Sequence, residues 1–341
     1  MSMDGLMMEL LTRGVLFVAV ELFIANGTTA YLPPVQEGIE WSTERCGVPG
    51  KLTFKVVKDS TLNFTEGCPV KLSVDGKGVF FGFVFKQQRD KNNIITVTAY
   101  DQLRYLKNKD TYVYTNKTAS QFIKMIADDF NMNVGSISNT GYRIASRVED
   151  NTSLFDMIQN ALDLTLENTG EMFVFYDDCG KLTLKNLDSM RVGSDSGWLV
   201  IDEDTGQNFD YESSIDDNTY NQIKLVYENE STGRRDVYMA QDSSHINDWG
   251  VLQYFATLKK GENGKAKVES LLELYNAKTR RLKINKAIGD NRVRAGSMIV
   301  VNLNLGDMHL QNFMLVEKCS HTYYENEHWM DLTLRGGEFV G

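Results

Sequence analysis

The feature that most constrains this chain is residues 52–100, where apolar and polar side chains alternate along several successive stretches. A period of two is typical of β-strands with one buried face. The segment 75–78, Asp-Gly-Lys-Gly, suits a tight hairpin, and residues 79–85 are apolar on both faces, as in a central strand. The pattern predicts a twisted antiparallel meander that closes into a small barrel.

A short apolar run precedes this stretch, at residues 15–24. It is too short to cross a bilayer, and it lacks the basic start and the small-residue cleavage site of a secretory signal. The turn-forming pair Asn26-Gly27 follows it directly. We therefore expect a strand here, and neither a membrane span nor a leader.

The period of the apolar residues changes near the middle of the chain. Thr118 and Gln121 have the spacing of a capping box and predict a helix over 119–130. A second amphipathic pattern follows and is predicted to stop at Gly170. Residues 172–184 then read as a strand hairpin, so this part of the chain is expected to form an α+β domain.

Beyond an acidic, glycine-bearing connection, strand pattern resumes at 221–227, and a helix is predicted over 266–282. The predicted fold class is α+β and mostly β, with two small tube-like β-barrel domains, an α+β middle domain and a helical insertion. The predicted boundaries are 1–106 for the N-terminal barrel, 107–215 for the middle domain and 216–341 for the second barrel, with the insertion at about 240–284.

Two distant segments, 66–100 and 295–335, show the same order of elements. In each, a glycine turn leads into an alternating strand, and two further strands follow. The matched segments are 66–74 with 295–303, 82–86 with 313–317, and 94–98 with 329–333. The likeness is either a duplication or the generic similarity of two β-meanders. If it is a duplication, one chain presents two similar faces and three copies present six.

The formal net charge of −10 argues against duplex nucleic acid as the main partner, because proteins that bind it concentrate Lys and Arg against phosphates. Protein partners are favoured instead. The cysteines lie far apart with no Cys-x-x-Cys pair, which indicates neither a zinc knuckle nor a dense disulfide framework. They are Cys46, Cys68, Cys179 and Cys319. No nucleotide loop is present and no cofactor is predicted.

The histidines show no catalytic or metal-binding motif, and no metal is predicted. His321 and His328 flank a turn that also carries Glu325 and Glu327, a set that would meet the minimum for zinc. Hairpin tips collect such residues routinely, so a bare, solvated hairpin is the preferred interpretation.

No catalytic residue is predicted, and the chain is expected not to be an enzyme. Cutting peptidoglycan requires an acid and a carboxylate held several ångströms apart in a cleft. Carboxylates here lie in turns such as 128–129 and 216–217, where solvation is the ordinary explanation. A cell-wall (peptidoglycan) hydrolase or carbohydrate-binding module remains the alternative function, suggested by the aromatic, β-rich composition.

Trp249, Tyr254 and Phe255 form an aromatic cluster without clear periodicity. Aromatic side chains are enriched where subunits meet, which makes these three the candidate interface residues. The alternative is that they fill a local core under a loop.

Segments spread over nearly the whole chain carry a resemblance to a known family. They are 37–42, 50–56, 79–85, 98–106, the helix after Thr118, and 332–337. Together they resemble the baseplate hub proteins of contractile phage tails and phage-tail-like bacteriocins, which are often grouped with the late control D proteins.

This resemblance implies a homotrimer whose six tube-like barrels form a pseudo-hexameric ring. Such a ring would join the hexameric tail tube protein to the trimeric spike protein, and other parts of the chain would meet spike and wedge proteins of the baseplate. Assembly in the bacterial cytoplasm and a place in the baseplate of a virion or bacteriocin particle are expected. Neither a membrane nor a direct nucleic-acid partner is predicted.

Overall fold

The computed structural model describes residues 19–35, 38–194, 197–216, 219–229, 233–258, 263–324 and 327–336. The chain divides into two compact units. The first unit consists of Met1–Phe209 with Lys283–Leu334, and the second unit consists of Asp210–Leu282 with Arg335–Gly341. The three domains predicted from the sequence, 1–106, 107–215 and 216–341, stay a prediction beside this division.

Strands dominate the chain. In order they are β1 Val20–Asn26, β2 Thr29–Tyr31, β3 Ile39–Glu44, β4 Lys51–Val57, β5 Pro69–Val74, β6 Lys77–Arg89, β7 Ile94–Tyr100, β8 Lys109–Thr118, β9 Val134–Ile137, β10 Arg143–Ser153, β11 Phe173–Asp177, β12 Leu182–Asn186, β13 Gly193–Ser194, β14 Gly197–Trp198, β15 Val200–Ile201, β16 Gly206–Ser214, β17 Gln222–Asn229, β18 Arg234–Gln241, β19 Gln253–Thr257, β20 Thr279–Ile288, β21 Met298–Asn304, β22 His309–Tyr324 and β23 Glu327–Arg335. The α-helices are α1 Ala119–Asp129, α2 Leu154–Thr169, α3 Ser243–Trp249 and α4 Gly264–Tyr275.

The largest sheet, over the described residues, contains thirteen strands. Its main path runs β16-β20-β23-β22-β3-β4-β7-β6-β5-β1-β2, and β21 pairs with both β22 and β15. Strand β4 shows why the sequence forms this sheet, because Leu52, Phe54 and Val56 are buried while the residues between them are partly exposed. Of the apolar run 15–24, the part from Val20 is strand β1, which confirms that prediction there, and residues 15–18 lie outside the described residues.

The predicted class, α+β and mostly β, is confirmed, but the described strands do not form two separately closed barrels. Their path is open and runs from β16 at one end to β2 at the other. The reason is strand β3, which pairs with β4 on one edge and with β22 on the other. The two meanders therefore belong to one continuous sheet.

The predicted helices of the middle segment are confirmed. Thr118 begins α1 with both halves of the capping box, since its side chain accepts from the Gln121 N–H and the Gln121 side chain accepts from the Thr118 N–H. Ser153 begins α2, and Gly170 ends it with φ of 72° in the left-handed region. The two helices pack against β11 and β12 in a core that includes Phe122.

The second unit contains a three-stranded sheet in which β17 lies between antiparallel β18 and parallel β19. Val268 of α4 packs on one face of this sheet, against Ile223 and Leu225. The helix ends at Tyr275, earlier than the predicted residue 282. The last part of the predicted helix belongs instead to β20, which begins at Thr279. Its buried residues Leu282 and Ile284 are two positions apart, as in a strand.

Candidate assembly interface

Two groups of five strands have the same neighbour order in the large sheet. We call β3-β4-β7-β6-β5 the first repeat and β16-β20-β23-β22-β21 the second repeat. The last three strands of each, β5 to β7 and β21 to β23, contain the segments whose sequences echo each other. The tertiary structure thus extends the similarity from three strands to five.

Strand β3 joins the two repeats within one chain. Its residues pair with β22 from Ile39 opposite Tyr323 to Glu44 opposite Lys318. Just beyond β3, Nε of Arg45 donates to a carboxylate oxygen of Glu317 at 2.8 Å, and both side chains are 14% exposed. Main-chain hydrogen bonds and a largely buried ion pair therefore hold the first repeat to the second.

Strand β16 holds the place in the second repeat that β3 holds in the first. It pairs only with β20 among the strands that the structure describes, so its other edge has no neighbour there. Every second side chain of β3 is buried, namely Ile39, Trp41 and Thr43, whereas no side chain of β16 is buried. An edge strand with unpaired N–H and C=O groups is a template for pairing with another chain.

His321 and His328 lie opposite each other in the β22–β23 hairpin, as their positions around the turn suggested, but they are not solvated. They are 0% and 9% exposed, respectively. Trp41 stacks on His321 with ring centroids 4.8 Å apart, and Tyr323 stacks on His328 at 4.3 Å. The interpretation as a bare, solvated hairpin is wrong for this pair, while Glu325 lies outside the described residues.

The hydrogen bonds of the pair fix its protonation. Nε2 of His321 lies 2.8 Å from the Val293 carbonyl oxygen, which can only accept, so Nε2 carries the proton. Nδ1 of His321 then accepts from Nε2 of His328 at 2.8 Å. Burial lowers the pKa of His321 to about 3, with the neighbouring His328 adding to the effect, and burial lowers the pKa of His328 to about 4. Within the described ranges, no group of three or more His, Cys, Asp or Glu residues could hold a metal.

The three predicted interface aromatics lie at different places in the second unit. Trp249 ends α3 and stacks on His245, with centroids 3.9 Å apart. Tyr254 stacks on Tyr275 of α4 at 5.6 Å and belongs to the small core. Phe255 points to the opposite face of the sheet, because successive side chains of a strand alternate, and it is 54% exposed.

Phe255 shares one face of this sheet with two exposed apolar side chains of β18. It lies opposite Lys224 of β17, which in turn lies opposite Met239 of β18. Met239 is 57% exposed and Val237, two residues before it, is 54% exposed. We call Val237, Met239 and Phe255 the open face. The alternation at Val237 and Met239 was the sequence signal for it, and sequence reasoning missed both residues.

A cavity of about 270 Å³ lies in the first unit, and its wall combines residues between 176 and 192 with residues of the large sheet. Four cationic side chains line it: Lys185, Arg191, Arg292 and Arg294. Sequence reasoning missed this site. The residues come from two segments separated by about a hundred positions and form no motif in either one.

Two buried carboxyl groups interact electrostatically with Arg294 and do not line the cavity. Asp101 accepts from the main-chain N–H groups of Gly50 and Leu103 at 2.9 and 3.0 Å. Burial raises the pKa of Asp101, nearby Asp177 raises it further, and Arg294 opposes the rise. Burial also raises the pKa of Asp177, which accepts from the side chain of Gln102 at 2.8 Å. Protein donors thus satisfy both groups inside the fold.

Among the described residues, none of the helices combines the length and the apolar composition that a membrane span requires.

A model of the YQBQ-like family matches residues 39–335. The Bacillus subtilis (strain 168) protein YqbQ is 32% identical to this chain over 326 residues, which are 92% of this chain and 95% of that protein. The phage-like element PBSX protein XkdQ of the same organism is 30% identical over 327 residues, or 92% and 96%.

Solved structures share the fold as well. The crystal structure of the prophage MuSo2 43 kDa tail protein from Shewanella oneidensis matches with a TM-score of 0.66 at 11% sequence identity. The match covers 93% of this chain and 98% of that protein. At this identity the likeness concerns the fold.

Proposed function

The chain belongs to the YQBQ-like family, and on that premise we propose that it is a structural, non-enzymatic hub in the baseplate of a contractile tail or contractile injection particle. In this role three copies form a ring that joins a hexameric tail tube to a trimeric spike. Such a protein acts by holding its partners in a fixed arrangement, and the burial of interface area stabilises the assembly.

The observation that carries the proposal is the β3–β22 junction between the two repeats. Because β16 matches β3 and β6 matches β22, the same junction can form between β16 of one copy and β6 of the next. Residues 86–89 of β6 have no strand partner on the β5 side among the described residues. Three copies joined in this way carry six similar repeats around one axis, which suits a tube of sixfold symmetry above and a spike of threefold symmetry below.

The relatives support a tail role by their names. One is a phage-like element protein of Bacillus subtilis, and the fold is that of a prophage tail protein of Shewanella oneidensis. The net charge of −10 fits protein partners better than nucleic acid. We accordingly propose the tube protein, the spike protein and wedge or other baseplate proteins as partners, and assembly in the bacterial cytoplasm.

We place one partner contact on the open face of the second unit. Phe255, Met239 and Val237 are each more than half exposed on one side of the sheet, and α4 packs on the other side. Of the predicted interface aromatics, Phe255 is the one whose side chain is free to be buried by a neighbour. Trp249 and Tyr254 support this face by packing inside the second unit.

Light scattering on the purified chain tests the ring. Obligate interfaces of this kind bury more than about 2,000 Å², so we expect a trimer at modest concentration. A monodisperse monomer at high concentration would contradict the proposal. In the same preparation, turnover of purified peptidoglycan would favour the cell-wall enzyme instead.

Two neighbouring proline variants locate the junction. In Glu212→Pro and Ser213→Pro the missing N–H points to opposite edges of β16, since successive N–H groups of a strand alternate. One variant therefore loses a bond to β20, and the other loses a bond at the outer edge. We expect the variant that loses the outer-edge bond to remain folded by circular dichroism and to be a monomer by light scattering. Two folded variants that both stay trimeric would contradict a junction at β16.

A further inference from the structure

We propose that the cavity of the first unit is a binding pocket for a carboxylate carried by a protein partner, with Lys185 and Arg294 as its anchors. The pocket is distinct from the β16 edge and does not depend on the ring. The proposal rests on the position of the guanidinium group, the balance of charge around the cavity, and the size and chemistry of its wall.

Arg294 is held in place before any ligand arrives. Its guanidinium carbon lies 4.0 Å from the centre of the Tyr176 ring, and Nη1 donates to the Asp177 carbonyl oxygen at 2.8 Å. Nη2 makes no hydrogen bond to any described residue. Nε is buried and has no hydrogen-bond acceptor among those residues. A guanidinium fixed by a ring and a carbonyl loses little freedom when its terminal Nη groups bind an oxyanion.

The charges around the cavity leave two cations without an ion pair. Arg191 donates to Asp188 at 2.8 Å, and Arg292 makes several bonds to Asp290, the shortest of 2.6 Å. Lys185, half-buried on β12, has no ion pair among the described residues. The carboxylate of Asp178 also lines the wall. Asp101 and Asp177 are buried, do not line the cavity and interact electrostatically with Arg294. With Arg191 and Arg292 already neutralised, Lys185 and Arg294 are the groups available to a ligand.

The size and wall of the cavity select the class of ligand. At about 270 Å³ it is smaller than ordinary cofactor pockets, and it accommodates one or two amino-acid side chains. Trp41, Val79 and Met190 contribute apolar wall, which suits the methylene groups of a glutamate. The fork of an arginine matches a carboxylate with two parallel hydrogen bonds. Inorganic phosphate offers the same oxyanion chemistry without the methylene groups, so a glutamate side chain of a partner fits better.

Calorimetric titration of the full chain at low ionic strength tests this proposal with three probes. They are a short peptide with blocked ends and one glutamate, the same peptide with glutamine, and inorganic phosphate. We expect the glutamate peptide to bind at least about tenfold tighter than the glutamine peptide, because charge-assisted hydrogen bonds are about twice as strong as neutral ones. Equal binding of the two peptides, or tighter binding of phosphate, would overturn the proposal.

Matched variants tie the binding to the cavity. Lys185→Gln is expected to weaken the glutamate peptide about fivefold, and Arg294→Lys to weaken it further, because lysine keeps the charge but loses the fork. Lys181→Gln is the control, since Lys181 is exposed near the start of the same strand and does not line the cavity. Lys185 is partly exposed, so its variant remains informative if Arg294→Lys fails to fold. Unchanged affinity in Lys185→Gln would exclude this pocket.

Discussion

Strands β3 and β16 occupy the same place in two similar repeats, yet one is an interior strand and the other is an edge. β3 pairs with β4 and β22, and its alternate side chains are buried. β16 pairs with β20 alone among the described strands, and none of its side chains is buried. The difference teaches that a strand's burial is set by what pairs with it rather than by its place in the repeat.

The largest expected difference between the repeats concerns the aromatic side chains of these two strands. Trp41 of β3 is 4% exposed and stacks on His321, whereas Phe209 of β16 is half-buried. Trp41→Ala should lower the free energy of unfolding by about 3–5 kcal/mol, because it leaves a cavity in a packed core. Phe209→Ala should cost about 1 kcal/mol or less. Urea unfolding measures both, and equal losses would remove the distinction.

The second prediction concerns the histidine pair, which only the second repeat contains. The unfolded chain titrates its histidines near pH 6.5, whereas burial lowers the pKa of His321 to about 3 and of His328 to about 4 in the fold. The unfolded state therefore takes up protons first as the pH falls. Stability from the neutral pair is complete above about pH 6.5 and is lost as the pH falls toward the folded pKa values, by roughly 4 kcal/mol at pH 5.

The contribution of buried Asp101 to stability depends on pH in the opposite direction. Its pKa is raised in the fold, so its stabilising contribution is complete at low pH and is lost as the pH rises toward its folded pKa. Comparison with the double variant His321→Gln and His328→Gln separates the two effects. We expect the unfolding free energy of the variant to fall less steeply than that of the unchanged chain between pH 6.5 and 4.5. Parallel curves would contradict the assignment to the histidines.

The third prediction compares matched positions of β6 and β22. Gly82 in the first repeat corresponds to Phe313 in the second, but a Cβ on Gly82 would lie 2.2 Å from the Tyr100 carbonyl oxygen. Main chain cannot move aside as a side chain can, so Gly82→Ala should lower the free energy of unfolding by about 1–3 kcal/mol. Gly197→Ala is the control, because no atom lies within 4 Å of its Cβ, and we expect a change below about 0.5 kcal/mol. Thermal unfolding in parallel would show whether the two differ.

The smallest expected effect concerns two ion pairs that join the repeats. Arg45 and Glu317 are each 14% exposed, whereas Lys318 and Glu44, 3.1 Å apart, are 58% and 38% exposed. Glu317→Gln should cost about 1–2 kcal/mol, and Glu44→Gln less than about 0.5 kcal/mol, because solvent screens the second pair. Added salt should reduce only the smaller effect. A larger loss for Glu44→Gln would mean that exposure does not rank these contacts.

Local physics explains what could be predicted from the sequence. The capping box of Thr118 and Gln121 marks a helix start, and Gly170 marks a helix end, because each acts on hydrogen bonds within a few residues. Alternation in β4 likewise predicts a strand from its own side chains. The order of strands in the echoed segments followed from the same local signals.

The sequence by itself thus determined the elements, their order and the mostly β class, whereas only the tertiary structure decided which strands share an edge. His321 comes to lie against Trp41, 280 positions away, because β3 pairs with β22. The same long-range pairing turns a predicted solvated hairpin into core and leaves β16 as an edge. No local pattern encodes such a choice, since alternating strands are compatible with many neighbours and only the packing of the whole sheet selects among them.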